Sequence, residues 1–170
     1  MKVFKFGGAS VKDAAGVKNL SSIVHQQHGQ LIVVVSAMGK TTNLLETLCN
    51  AYFHQDPKTT AIMKELKNFH LDIVNTLFPL NDTIHKHLEE LFTSLENILA
   101  SESSLCYDYE YDRIICFGEL ISTTIISDYL KMKGIENQFI DIRKFLKTDQ
   151  NYRNANIDLE LSEQETDQQE

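Results

Sequence analysis

The chain has 170 residues, which is enough for one domain with a hydrophobic core. Its 16 basic and 24 acidic residues give a net charge of −8, which argues against nucleic-acid binding, because that function needs a basic face. No apolar stretch approaches the ~20 residues that span a bilayer, and the N-terminus lacks a signal-peptide pattern, so we expect no membrane partner. The three cysteines lack metal-like spacing, which indicates reduced thiols in a cytoplasmic protein.

The first forty residues predict a β-α-β unit. Residues 2–6 form a short apolar strand, and residues 11–28 space apolar side chains at helical intervals, with Ser10 as the predicted N-cap. Residues 31–37, LIVVVSA, form a continuous run rich in β-branched side chains, which is typical of a buried parallel strand. Strand, helix and strand in this order predict a right-handed crossover between parallel strands.

Helical patterns dominate the sequence after these strands. Residues 58–78 and 82–100 predict two amphipathic helices, and Pro79 ends the first of them, so we expect a helical hairpin. The remaining predicted elements are helices at 42–53 and 107–133 and a third strand at 137–142, NQFIDI.

The end of the chain differs in composition from the rest. Residues 157–170 contain six acidic residues and no basic residue, and such a segment buries little apolar surface. We therefore assign 1–150 to a folded domain and 151–170 to an acidic, poorly ordered end of a truncated chain.

Two candidate binding loops follow the first two predicted strands. In KFGGAS, Gly7 and Gly8 allow close approach of the backbone, the following helix N-terminus attracts anions, and Lys5 adds a mobile positive charge. The same residues would also suit a tight turn with a surface lysine, so two interpretations remain open. The second loop lies in VVVSAMGKTTNLL, where Ser36 follows the strand. Ligands in parallel α/β sheets bind beyond the carboxyl ends of the strands, where both loops would lie.

The GKT triplet in the second loop does not form a Walker A motif. That motif requires a glycine five positions before the Gly-Lys pair, and Val34 stands there. The threonines that follow the triplet are also suited to starting the next helix.

Glu119 is a third candidate, because it lies in an apolar run, CFGELISTTIISDYL. A buried carboxylate there would need a partner, whereas a glutamate on an exposed helix face would not, and the spacing leaves both alternatives open. We expect the six histidines to be solvated surface residues without a metal site.

Taken in order, KFGGAS, VVVSAMGKTTNLL and FGELISTTI resemble the aspartokinases, which belong to the amino-acid kinase family. The resemblance implies an α/β fold, a three-layer αβα sandwich with a mostly parallel sheet, of which this chain is the N-terminal portion. It also implies transfer of the γ-phosphoryl group of Mg-ATP to the β-carboxylate of L-aspartate, the first step of lysine, threonine and methionine biosynthesis. A cytoplasmic homo-oligomer is implied for the full-length enzyme.

The resemblance also implies roles for individual residues. Lys5 is the catalytic lysine that stabilises the transferred phosphoryl group. The implied phosphate and ATP contacts are Lys5, Gly7, Gly8, Ser10 and Ser36. The implied aspartate contacts are Ser36, Thr42 and Glu119, with Glu119 pairing with the α-ammonium group. ATP and Mg²⁺ are the expected cofactors, and no residue is assigned as a metal ligand.

The chain departs from the aspartokinase pattern in two ways. Ala9 stands where the family has a threonine or serine, which removes a hydrogen bond worth about 1.5–3 kcal/mol when it is made to a charged group. Aspartokinases also continue beyond this length, with most nucleotide contacts and a basic residue for the α-carboxylate. We therefore expect a truncated chain that is inactive alone.

Two alternatives remain open at the level of sequence. One is another amino-acid kinase, resembling glutamate 5-kinase or uridylate kinase. The other is a non-catalytic binding or assembly domain, which Ala9 and the short length favour.

Overall fold

In the computed structural model, which describes residues 1–80 and 82–167, helices pack against a small parallel sheet. The elements in chain order are β1 (Lys2–Phe6), α1 (Ala14–His25), β2 (Leu31–Val35), α2 (Thr41–Phe53), α3 (Thr59–Leu77), α4 (Thr83–Ala100), α5 (Tyr107–Ile115), α6 (Phe117–Met132), β3 (Lys147–Thr148), β4 (Ile157–Asp158) and α7 (Leu159–Asp167). Short 3₁₀ turns occupy Gly8–Val11 and Ile142–Lys144. These elements form an α/β arrangement, as the sequence predicts. No helix in the described ranges is long and apolar enough to cross a membrane.

The strands β1 and β2 pair in parallel, with α1 as the crossover, which confirms the predicted β-α-β unit. Lys2 lies opposite Leu31, and the register continues to the end of both strands. Because strand side chains alternate between faces, one face of the pair packs against the helices and the other carries Val3 and Ile32, which are exposed. The sequence predicted a buried strand at 31–37, but only one face of β2 is covered.

The hydrophobic core is mainly helical. It lies between α2, α3, α4 and α6, and α4 packs directly along α6. Its fully buried large side chains include Leu45, Leu48, Leu66, Leu88, Phe92, Leu95, Ile121 and Ile125. The predicted hairpin is confirmed as α3 and α4, whose apolar stripes face this core.

The predicted helix at 107–133 forms two helices, α5 and α6, that meet at Cys116. Helix α6 begins where the chain packs closely against the loop after β2. A Cβ on Gly118 would lie only 2.8 Å from the Cβ of Ala37. The break between α5 and α6 therefore lies next to a tertiary contact, which the spacing of apolar residues along 107–133 does not reveal.

The predicted strand at 137–142 is wrong for this structure. Ile140 and Ile142 are more than half exposed, and the segment leads into the second 3₁₀ turn. A strand requires a neighbour for its backbone hydrogen bonds, and the described sheets pair β1 only with β2 and β3 only with β4.

Part of the acidic end has regular structure. Its residues were expected to be poorly ordered, yet β4 pairs with β3 and leads into α7. The Ser162 hydroxyl accepts a hydrogen bond of 2.9 Å from the Lys147 amide, which fastens the helix to the hairpin. Residues 168–170 lie outside the described residues.

The expectation of a solvated surface is wrong for His70, which is fully buried in α3. Its Nδ1 lies 2.8 Å from the Leu66 carbonyl oxygen, and its Nε2 lies 3.3 Å from the Thr41 hydroxyl. Burial lowers the pKa of His70 to about 4, because the charged imidazolium is desolvated in the core.

We expect the buried imidazole to make the folded state sensitive to acid. The unfolded chain binds a proton near pH 6.5 and the folded chain only near pH 4, so the free energy of unfolding decreases as pH falls between these values. The loss from His70 amounts to up to ~3 kcal/mol. His70→Gln should flatten this dependence in denaturant titrations across the same range. Equal pH dependence in the two proteins would contradict the prediction.

A second prediction concerns Gly8, where the loops after β1 and β2 touch. The Gly39 amide donates to the Gly8 carbonyl at 3.1 Å, and a Cβ added to Gly8 would lie 2.6 Å from the carbonyl oxygen of Ala37. Gly8→Ala should therefore lower the free energy of unfolding by about 2–3 kcal/mol in chemical denaturation. Ala9→Ser is the matched control, because it adds one atom at an exposed neighbour and should change stability by less than about 0.5 kcal/mol.

Candidate active site

The first loop places a lysine over a glycine turn. Lys5 is exposed near the carboxyl end of β1, and its Nζ lies 3.5 Å from the point where a Cβ on Gly7 would stand. The Ser10 amide donates to the Gly7 carbonyl at 2.9 Å and closes the turn. Ser10 was predicted to cap α1, but Asp13 does so, through a hydrogen bond of 2.8 Å from the Gly16 amide.

The second loop is held by the strand before it and by α6. The Ser36 amide donates to the Phe6 carbonyl at 3.0 Å, and the Ser36 carbonyl accepts from the Ser122 hydroxyl at 2.9 Å. The neighbouring Ala37 amide donates to Oε1 of Glu119 at 3.1 Å. The loop is therefore fixed at consecutive residues by contacts far apart in sequence.

Glu119 combines an exposed position with a specific partner. The residue belongs to the first turn of α6 and remains exposed, while its Oε1 accepts from the Ala37 backbone. Close packing of Gly118 against Ala37 brings the carboxylate within reach of that amide. Glu119 is therefore not the buried carboxylate that the sequence allowed, but an exposed glutamate with a specific backbone partner.

The start of α2 completes the second loop. Thr42 is half-buried in the first turn, next to Thr41, whose hydroxyl meets the buried His70. The helix begins without a side-chain cap. Free helix N-terminal amides carry partial positive charge, which favours an anion beside this turn.

Most of the sequence-predicted residues come together at this edge of the sheet. Backbone contacts join Gly8 to Gly39, and Glu119 joins the same loop at Ala37. The predicted members of this group are Lys5, Gly7, Gly8, Ser36 and Glu119. Ser10 and Thr42 lie at the adjoining turns, and the described contacts give neither side chain a hydrogen bond to the group.

Sequence reasoning missed the residues that support the site from outside it. Ser122 received no functional assignment, and His70 was expected at the surface, although both contact the second loop. Their separations of 86 and 29 residues from their partners leave no local pattern. Gly118 carried the only available signal, because a glycine inside a helical run often marks close packing.

The local charge at the two loops differs from that of the whole chain. Lys5, Lys12 and Lys40 are exposed around them, although the net charge is −8. Lys12 packs against the second loop, with its Cβ 3.5 Å from the position of a Cβ on Gly39. The arrangement is suited to binding a phosphate-bearing anion, while Glu119 offers a carboxylate for a cationic group. Within the described ranges, no cluster of three or more acidic, histidine or cysteine side chains could hold a metal.

A groove also lies away from the two loops. It has a volume of about 420 Å³ and is lined by residues that include Arg113, Cys116 and Arg143. Both arginines are already paired, with Glu110 at 2.9 Å and with Asp141 at 2.6 Å. The groove therefore offers less uncompensated charge than the two loops, and we place the candidate site at the loops.

Comparison with known proteins finds aspartokinases among the relatives of this chain. The chain is 31% identical over 164 residues to "Aspartokinase 2, chloroplastic" of Arabidopsis thaliana, covering 91% of this chain and 29% of that protein. It is 27% identical over 159 residues to "Lysine-sensitive aspartokinase 3" of Escherichia coli, covering 92% of this chain and 34% of that protein. The chain thus spans about a third of the length of these curated relatives.

Solved structures agree with this result. Aspartokinase III of E. coli in complex with lysine and aspartate superposes with a TM-score of 0.87 at 25% identity, over 99% of this chain and 37% of that chain. The same enzyme in complex with aspartate and ADP gives a TM-score of 0.86 over the same fractions. The model of the amino acid kinase family matches residues 1–167. Because this match covers almost the whole chain, the chain belongs to the amino acid kinase family.

Proposed function

We propose that this chain is the N-terminal part of an aspartate kinase, which transfers the γ-phosphoryl group of ATP to the β-carboxylate of L-aspartate. The observation that carries the proposal is the convergence of two anion-attracting loops and Glu119 around Ala37. Relatives named aspartokinases, and an aspartokinase structure containing aspartate and ADP, support the same substrates.

The chemistry requires the enzyme to hold two anions together. A β-carboxylate is already ionised near pH 7, so the reaction needs no general base. The main barrier is the repulsion between the nucleophile and the phosphate oxygens, and positioned cations and backbone amides reduce it. In the proposed site Lys5 stabilises the transferred phosphoryl group, while Gly7, Gly8, Ser10 and Ser36 contact phosphates.

Aspartate would bind on the side of the second loop. Glu119 would pair with its α-ammonium group, because the hydrogen bond from Ala37 fixes the carboxylate without removing its charge. Ser36 and Thr42 are the proposed additional contacts. This arrangement would bring the substrate carboxylate toward the loop that Lys5 covers.

The remaining parts of the proposal concern the whole protein. We propose Mg²⁺ as the partner of ATP, a cytoplasmic location, and a homo-oligomeric enzyme in amino-acid biosynthesis. Because the relatives are about three times as long, we expect most nucleotide contacts to lie in a longer polypeptide that contains this chain. The 170 residues alone should give no turnover in a coupled ADP-release assay with aspartate and Mg-ATP.

The role of Lys5 can be tested in that longer polypeptide. Lys5→Met keeps the length of the side chain but removes the ammonium, so kcat should fall by about 100-fold or more. The assay is coupled ADP release with aspartate as acceptor. Lys2→Met is the matched control, because Lys2 lies on the same strand but contacts Gln27 away from the loops, and kcat should stay within about twofold. An active Lys5→Met enzyme would argue against this assignment.

Glu119 provides a separate test of the substrate. Glu119→Gln retains an oxygen that can accept from the Ala37 amide but removes the charge, so the KM for aspartate should rise by about tenfold or more while the KM for ATP stays unchanged. Glu102→Gln is the control, since Glu102 is exposed on the loop after α4. Equal aspartate KM values in the Glu119 variant and the wild type would contradict the pairing with the α-ammonium group.

A further inference from the structure

The buried histidine of α3 meets the second loop through a defined hydrogen bond. The Leu66 carbonyl can only accept, so Nδ1 of His70 is the protonated nitrogen at 2.8 Å. Nε2 must then accept, and the Thr41 hydroxyl is its donor at 3.3 Å. The two contacts assign one neutral tautomer and give both ring nitrogens a partner.

The residue before the histidine touches the same turn. A Cβ on Gly39 would lie 3.5 Å from Cζ of Phe69, and Gly39 itself has a φ of 55°, in the left-handed region. Phe69 therefore supports one end of the turn at 39–41 and His70 the other end. Two consecutive residues of α3 fix a loop that lies about thirty residues earlier in the chain.

Thr41 transmits this support toward the substrate side of the candidate site. Its Cγ2 lies 3.6 Å from the position of a Cβ on Gly118, the residue before Glu119. Thr42 follows it directly in the chain. Thr41 is thus held between the imidazole of His70 and the start of α6.

Burying an imidazole at this position costs free energy, because its ring nitrogens lose their hydration. An apolar side chain would occupy the same core without desolvating two polar nitrogens, and the pKa of His70, lowered to about 4, reflects that desolvation. The histidine adds a directional acceptor for the Thr41 hydroxyl, which an apolar side chain lacks. A directional hydrogen bond holds Thr41 in one orientation. This orientation matters because the neighbouring residues Thr42 and Glu119 are proposed to contact the substrate.

We propose that His70 is a positioning residue, which fixes the second loop through the Thr41 hydroxyl and thereby orients Thr42 and Glu119 for the amino-acid substrate. His70 does not touch the substrate in this proposal. The inference rests on the proposed function for its substrate, but the coupling between His70 and the loop can be measured without any substrate.

The first experiment measures hydrogen exchange of backbone amides by NMR in the 170-residue chain. His70→Asn places an amide near Nδ1 and loses the acceptor for Thr41, whereas His70→Gln places an acceptor near Nε2. Exchange at Ala37, Gly39 and Thr41 should rise by about tenfold in His70→Asn and in Thr41→Val, and by less than about threefold in His70→Gln.

The control is Ile73→Val, which removes one methylene from a buried side chain of the same helix and keeps His70 and Thr41. It should raise exchange in the helical core through a loss of stability, and exchange at the loop amides should rise by no more than exchange in the core. Ring nitrogen shifts of His70 should show the Nδ1–H tautomer in the wild type and in Ile73→Val. Equal exchange in the asparagine and glutamine variants, or loop amides that change only in step with the core, would overturn the coupling.

The second experiment uses the longer polypeptide and separates this inference from the proposed function. His70→Asn should raise the KM for aspartate by about tenfold while leaving the KM for ATP unchanged, and His70→Gln should restore most of the loss. If His70→Asn alters exchange at the loop but leaves the KM for aspartate unchanged, the proposed effect of His70 on the substrate is wrong. If the wild type phosphorylates no aspartate, the proposed function and the proposed orientation of the substrate are both wrong. The amide exchange experiment still tests whether His70 is coupled to the second loop.

Discussion

The parallel pairing of β1 with β2 is the constraint on which the rest of the site depends. Parallel strands place their carboxyl ends at one edge, so the loops that follow them meet even though a helix separates them in sequence. The contact between Gly8 and Gly39 shows how closely they meet. Backbone amides and three lysines then gather at one edge of a chain whose net charge is negative.

Helices outside the sheet hold the second loop at this edge. Helix α6 brings Glu119 to the Ala37 amide, and α3 brings His70 to Thr41, so the second loop is held from two sides. The first loop is held more by its own turn. Ala9 has no side-chain hydroxyl, so backbone groups are the main source of hydrogen bonds there. The proposed division follows from this: the first loop for phosphate, and the second for the amino acid.

Local patterns were sufficient for much of the fold, because periodicity and helix-stopping residues act over a few positions. The β-α-β unit and the α3–α4 hairpin belong to this group. The strand predicted at 137–142 fails for the opposite reason, since β structure needs a partner strand and the described sheets provide none. The break at Cys116 and the burial of His70 likewise depend on packing between distant elements.

The sequence by itself was sufficient to locate the two loops with their lysine and glycines. The order of its motifs was sufficient to indicate the amino acid kinase family. Tertiary structure decided which side chains support those loops. Glu119 and Ala37 are 82 residues apart, and only the packing of α6 brings them to hydrogen-bonding distance. Sequence alone could not assign His70, because an imidazole suits surface and core equally until the surrounding helices exclude water and leave the Leu66 carbonyl and the Thr41 hydroxyl as its partners.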